Sequence, residues 1–308
     1  MGSAEIASPP YVKHQASRMS ARIEDKNETT GSSACKAIIG FFDILGYDRL
    51  VERMINDSEF VKRFDTLMYG LTVDLLAKLR NLNLSTLTDN PTDDEYFKRI
   101  TDTIKVRFIF DSVIFSLPVS AINFNSIEFD NKTTILNCIE TFFSLVAMFL
   151  TLFTSKIGHI FRGGISMGSH YETERDNYLF IFSEAHNKAV RLEREATHPR
   201  ILLEDNLRLY LEDISYTHLD KFFYKDDDEC YCFDSYSILQ MMDNRRDVLI
   251  DINMGLSLNM ESNMSNKKEL AKLIYFAKYH NRKICASGLN FPELSINIDK
   301  FVRIIEGN

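Results

Sequence analysis

Asp43 and Asp111 are the residues of this chain best placed to do chemistry. Asp43 closes the apolar run Ala37-Ile38-Ile39-Gly40-Phe41-Phe42 and opens Ile44-Leu45-Gly46-Tyr47. Asp111 interrupts Phe108-Ile109-Phe110 and Ser112-Val113-Ile114-Phe115. A carboxylate in a strand-like run is costly unless something offsets its charge. Two of them can hold divalent metal, and metal-held phosphates are the setting of phosphoryl transfer. A second pair lies downstream. Asn187 and Arg191 are four residues apart, so a helix puts them on one face. There an amide can orient a sugar and a guanidinium can stabilise charge building on a phosphate. Each feature alone also fits ordinary structure: aspartates in turn hydrogen bonds, or a solvated pair on a helix.

The elements that must position these residues follow from periodicity. A first strand is expected at 37–43. Leu50, Met54, Phe60, Phe64, Leu67, Leu71 and Leu75 recur at helical spacing, with a break at Asn56-Asp57-Ser58. The polar stretch 82–96 reads as a loop or insertion. Residues 107–111 and 113–117 form the arms of a hairpin turning near Asp111-Ser112. A helix is expected at 133–156, strands at 161–167 and 178–182, a helix at about 183–196, a short strand at 200–203 and a helix at 267–280. Asp226-Asp227-Asp228-Glu229 reads as a solvated turn. This order predicts an α+β fold, a ferredoxin-like α/β sandwich with helices on one face of a largely antiparallel sheet.

With 308 residues the chain can bury a full core. The expected organisation is a flexible segment at 1–35, a catalytic domain at 36–205, and a C-terminal α/β extension at 206–308 packed on it. Residues 1–33 lack the apolar stretch of a signal peptide. The net charge of −8 argues against gripping a nucleic-acid backbone over a broad surface. Five cysteines, an odd number without a CxxC pair, read as reduced thiols in a cytoplasmic protein. The uncharged run 141–154 is shorter than the roughly 20 residues a membrane span needs, so a buried core helix is expected and no span.

Two further blocks complete a pattern: Phe161-Arg162-Gly163-Gly164-Ile165-Ser166-Met167-Gly168, and the helix block from Phe182 through Asn187-Lys188-Ala189-Val190-Arg191-Leu192-Glu193. With the segments around Asp43 and Asp111, these resemble the catalytic domain of the class III nucleotidyl cyclases, the adenylyl and guanylyl cyclase family. The tail of the last block, through Pro199-Arg200-Ile201, is more similar to a bacterial subgroup that includes the pyrimidine cyclases of the Pycsar anti-phage systems. The resemblance implies that the sandwich is of class III cyclase type. It implies that Asp43 and Asp111, with the backbone carbonyl of Ile44, hold two divalent ions, Mg²⁺ or Mn²⁺. The amides of Leu45, Gly46 and Tyr47 would cradle the triphosphate at a helix N-terminus. Asn187 would orient the ribose and Arg191 would stabilise the transition state, both supplied by the other subunit of a head-to-tail homodimer. The usual glycines before the second aspartate and four before the asparagine are here Phe110 and Ser183. No lysine or arginine after residue 205 is singled out for the triphosphate.

The family's two base-reading positions correspond to Arg107 and Phe180, a pair typical of neither adenylyl nor guanylyl cyclases. Arg107 only donates, so it can meet the carbonyl oxygens of uracil, or O2 and N3 of cytosine. Phe180 offers a stacking wall, although either residue also fits a structural role, Arg107 by pairing with an acid such as Asp102. The expectation is a UTP cyclase making cyclic UMP for a separate cyclic-nucleotide-responsive effector. The alternatives are a cytidylate cyclase, an adenylyl or guanylyl cyclase with unusual base contacts, and a non-catalytic cyclase-like module.

Overall fold

The computed structural model describes residues 34–74, 100–119, 131–175, 178–286 and 294–306. The expected loop at 82–96 lies outside them, as does the expected N-terminal segment apart from its last two residues. In chain order the elements are β1 (Cys35–Ile44), α1 (Tyr47–Asn56), α2 (Ser58–Tyr69), β2 (Lys105–Ile109), β3 (Ser112–Pro118), α3 (Asn131–Ile157), β4 (Phe161–Arg175), β5 (Tyr178–Ser183) and α4 (Glu184–Glu195). Then come β6 (Ile201–Leu203), α5 (Asp205–Asp213), α6 (Leu219–Phe222), β7 (Phe223–Lys225), β8 (Tyr231–Phe233), α7 (Arg245–Ser262), α8 (Lys267–Ala286) and α9 (Asp299–Glu306).

The fold is α+β, built on an eight-stranded mixed sheet of order β2-β3-β1-β4-β6-β8-β7, with β5 on β4. β1 lies inside it, antiparallel to both β3 and β4. β6 is parallel to β4, and the remaining pairings are antiparallel. β1 carries apolar side chains on both faces. Ile38, Phe42 and Ile44 join the aromatic core of α3, where Phe142, Phe143, Phe149 and Phe153 are fully buried. Each such aromatic contributes about 1.5–3 kcal/mol by leaving water. Ala37 and Ile39 meet Ala185 and Ala189 of α4.

Helices therefore cover both faces of the sheet, not one as the element order suggested. The reason is that β1 carries apolar side chains on both faces, Ile38, Phe42 and Ile44 toward α3 and Ala37, Ile39 and Phe41 toward α4, and neither set can be left in water. α3 is the one helix among the described residues long and apolar enough to cross a membrane, and most of its apolar window is buried in this core.

The break between α1 and α2 falls at Asp57, whose carboxylate accepts from the Phe60 amide at 2.9 Å and caps α2. Residues 34–308 form one compact unit, and the β6–β8 pairing carries the sheet across residue 205. α7, α8 and α9 build a second apolar core around Ile252, Leu256, Leu270 and Ala277. The acidic run at 226–229 is a turn solvated at Asp227, Asp228 and Glu229 but not at Asp226. Asp226 is buried, bound by Arg200 at 3.0 Å and by the Tyr275 hydroxyl, while Asp228 takes the other side of the same guanidinium. Burial of Arg200 demands those counter-charges.

Candidate active site

The end of β1 and the β2–β3 turn bring the two aspartates to one cavity of about 460 Å³. The Ile44 amide donates to the Asp111 carbonyl at 2.8 Å, and the Leu45 amide to the Ile160 carbonyl at 2.9 Å. These bonds fix where the strand leaves the sheet. Gly46 then turns with φ of 78°, a left-handed conformation, and a side chain there would also press on the His159 ring at 3.4 Å. The His159 Nδ1 donates to the Leu45 carbonyl at 2.9 Å, and burial holds its ring below the usual histidine range. Gly46, Tyr47 and Asp48 open α1 along the cavity wall, where first-turn amides lack intrahelical acceptors.

Asp111 lies in the turn itself, preceded by Phe110 at φ 55°. This left-handed residue is the position where the resembled family carries glycine. Its ring is 87% exposed and loses little packing if removed. Phe110→Gly is expected to raise stability by about 1 kcal/mol, as a left-handed non-glycine residue costs that much. Urea unfolding measures it, and an unchanged or lower midpoint would show that the turn holds no strain.

Asp43 is raised to about 6, first by burial and then by the negative charges of Glu193 and Asp111, with Arg162 and Lys272 opposing. Arg162 bridges Asp43, at 3.6 Å, and the buried Glu193 of α4. Two carboxylates lining one cavity are the hard oxygen ligands that suit a divalent cation such as Mg²⁺ or Mn²⁺. Among the described residues no group of three or more His, Cys, Asp or Glu side chains forms a metal cluster, so any ion here would rest on these two carboxylates and backbone oxygen.

Asn187 and Arg191 line a second cleft with Phe182, Ser183, Glu184 and Lys188. Ser183 caps α4, its hydroxyl accepting from the His186 amide at 3.0 Å, so serine serves where the resembled pattern has glycine. Lys188 is anchored by Glu204 at 3.0 Å and Glu184 at 3.1 Å. Arg191 is free to reach outward, its side chain 69% exposed and only loosely paired with Glu195 at 3.7 Å. The two clefts share no lining residue. One chain thus carries two separate clefts, linked through α4 by the Glu193–Arg162–Asp43 contacts.

Arg107 and Phe180 line neither cleft. The Arg107 guanidinium is held by Glu172, through Nη2 at 2.9 Å and Nε at 3.1 Å, and by Glu174 at 3.5 Å, so its acid is not Asp102. Glu172 is held down to about 2 by His170, Lys105 and Arg107 against its burial, and stays ionised. Phe180 lies on β5, 44% exposed, beside exposed Tyr178 and Phe182.

Sequence reasoning missed much of the first cavity. Asn259, Asn263, Asn266, Glu269 and Lys272 from the C-terminal helices line it, with Arg49 and His159. The signal available was the run of asparagines at 259, 263 and 266 where one helix ends and the next begins.

No protein-family model matches this chain, and no curated protein matches it significantly. Among solved structures it is similar to the adenylyl cyclase CyaB from P. aeruginosa, at 16% identity and TM-score 0.36 over 59% of this chain and 82% of that one. A bacterial light-regulated adenylyl cyclase matches at 15% identity and TM-score 0.36 over 71% and 59%. The guanylyl cyclase Cya2 matches at 14% and 0.30 over 66% and 93%. Likenesses this weak leave the activity to be argued from the residues themselves.

Proposed function

We propose that this chain is a nucleotidyl cyclase that pairs head to tail with a second copy and converts UTP to 3′,5′-cyclic UMP and pyrophosphate. The observation that carries the reading is the separation of the motif residues into two half-sites. Asp43, Asp111 and the α1 amides lie in one cleft, and Asn187 and Arg191 lie in another. Each half has what the other lacks: carboxylates and amides for metal and phosphate, against an amide and a guanidinium for ribose and developing charge.

In the assembled site the 3′-oxygen attacks the α-phosphorus in line as the bond to the β-phosphate oxygen breaks, and the hydroxyl proton passes to solvent. Asp43 and Asp111 would hold the divalent ions, which would lower the pKa of the 3′-hydroxyl and neutralise phosphate charge. The Gly46 and Tyr47 amides, with Asp48 beside them, would hold phosphate oxygens. Leu45, expected in this set, instead gives its amide to the Ile160 carbonyl. Asn187 orients the ribose, and Arg191 donates to the oxygens that gain charge as the leaving bond stretches.

The uracil preference is supported only by the resemblance, which puts Arg107, a pure donor that could meet uracil's two carbonyls, at a base-reading position. In this chain Arg107 is held by Glu172 and lines neither cleft. Glu174, exposed and 3.5 Å from the same guanidinium, favours a second reading, because an acceptor there would meet the amine of cytosine. The similarity to the Pycsar subgroup supports a role in anti-phage signalling through an effector that binds the product.

The test is incubation of purified protein with ATP, GTP, CTP or UTP and Mn²⁺ or Mg²⁺, with products identified by mass spectrometry. Cyclic UMP is expected, and cyclic CMP would move the assignment to the second reading. Cyclic AMP or GMP would overturn the Arg107 argument but keep the mechanism. No product from any nucleotide would replace the enzyme by a non-catalytic module.

A further inference from the structure

We propose that the helices after residue 205 complete the phosphate end of this cavity, with Lys272 of α8 and Arg49 of α1 as a polyphosphate clamp that works only with divalent metal. The proposal rests on the triphosphate reading of the Asp43 cavity and supplies its missing cations.

The wall is built, not incidental. α7 lies so close to the end of α3 that a side chain at Gly255 would stand 3.0 Å from the Gly158 backbone. Asn259 Nδ2 then donates to the Gly158 carbonyl at 2.6 Å, and Asn263 Nδ2 to the Asn259 carbonyl at 2.7 Å. The Asn263 side-chain oxygen accepts from Arg49 Nη2, which ties the guanidinium to the cavity rim. On α8, Leu270, Leu273, Ile274 and Ala277 enter the second core, and this fixes the rotation that puts Glu269 and Lys272 into the cavity lining. Lys272 is only 20% exposed in its side chain and pairs with Glu269 at 2.8 Å. It is also near enough to Asp43 for its charge to act on that carboxyl.

The charge balance gives the clamp its condition. The cavity is lined by the cations Arg49, Arg162 and Lys272 and by the carboxylates Asp43, Asp48, Asp111 and Glu269. Those carboxylates outnumber the cations, so the lining is net anionic by formal charge and repels a polyphosphate. Two divalent ions reverse the sign, after which Lys272 can exchange Glu269 for a phosphate oxygen and gain a charge-assisted hydrogen bond. Phosphate and metal should therefore bind as one event. Lys272 would act from the same chain as Asp43, leaving the Asn187 half for ribose and transition state.

The test is calorimetric titration of the full chain with inorganic tripolyphosphate, with and without Mn²⁺. Wild type is expected to bind only with Mn²⁺. Lys272→Met is expected to weaken that binding by at least about tenfold, the loss of one charge-assisted hydrogen bond, and Lys272→Arg to recover most of it. Glu269→Gln is expected to tighten binding, an outcome that misfolding cannot imitate. Equal affinity in wild type and Lys272→Met, or binding as tight without metal as with it, would overturn the clamp. Cyclase kinetics separate this from the functional reading. A wild type that cyclises UTP with a KM unmoved by Lys272→Met would sink the clamp alone. Lys272-dependent tripolyphosphate binding with no cyclic product would sink the cyclase and leave the clamp standing.

Discussion

Asp43→Ala and Asp111→Ala are each expected to lower cyclase turnover by at least about a hundredfold, the several kcal/mol that charge neutralisation at phosphate supplies. Both should leave the far-ultraviolet circular dichroism and cooperative unfolding intact. Asp43 has a second, opposite consequence for stability. Its carboxyl is raised from the ordinary 3.8 to about 6 because it is buried among Glu193 and Asp111. The folded protein therefore prefers it protonated. The stabilisation is complete below about pH 4 and is lost as pH rises through about 6, leaving the metal-free protein about 2–3 kcal/mol worse off at pH 8. Asp43→Asn should consequently melt higher than wild type at pH 8 without metal, while being inactive. Mn²⁺ competes with the proton, so its stabilisation of wild type should be small at pH 5, large at pH 8, and absent in Asp43→Asn. Full activity in either alanine variant would remove the metal assignment. A melting temperature for Asp43→Asn at or below wild type at pH 8 would refute the electrostatic account.

Mixing two inactive proteins should restore activity. In the proposed head-to-tail pairing, Asp43→Ala and Arg191→Ala would each destroy both sites of a homodimer, by opposite halves. In a heterodimer, one site joins the intact Asp43 of one copy to the intact Arg191 of the other, and the second site carries both lesions. Random exchange at equal concentration is expected to give about a quarter of wild-type activity, half the dimers with one working site each. The lining of the two clefts by wholly different residues motivates this, as does the exposure of Arg191. Subunit exchange followed by mass spectrometry of the intact dimers provides the control. If heterodimers form and activity stays at background, the site lies within one chain and Arg191 acts elsewhere.

Local pattern carried a great deal of this molecule. The break at Asp57, the hairpin around Asp111 and the burial of α3 are short-range consequences of residue type. Aspartate satisfies orphan amides where helices begin, and an uncharged aromatic run must leave water. The glycine missing at Phe110 was visible as a departure, but its meaning came from a backbone angle of 55°. Periodicity could not say that helices would cover both sides of the sheet. Small residues such as Ala37, Ala185 and Ala189 read as neutral until they are found facing one another.

By itself the sequence determined the chemical parts: carboxylates at the ends of apolar runs, and an asparagine and an arginine one helical turn apart. Their neighbours along the chain already dictate which way each one points. Only the tertiary structure decided how those parts divide between two clefts, that Arg107 is held by Glu172, and that Asp226 is buried on Arg200. It also decided that a C-terminal helix brings Lys272 to the cavity of Asp43. Arg49 and Asn263 meet across 214 positions of sequence. Contacts of that range depend on the packing of whole elements and leave no periodic mark in the residues that make them.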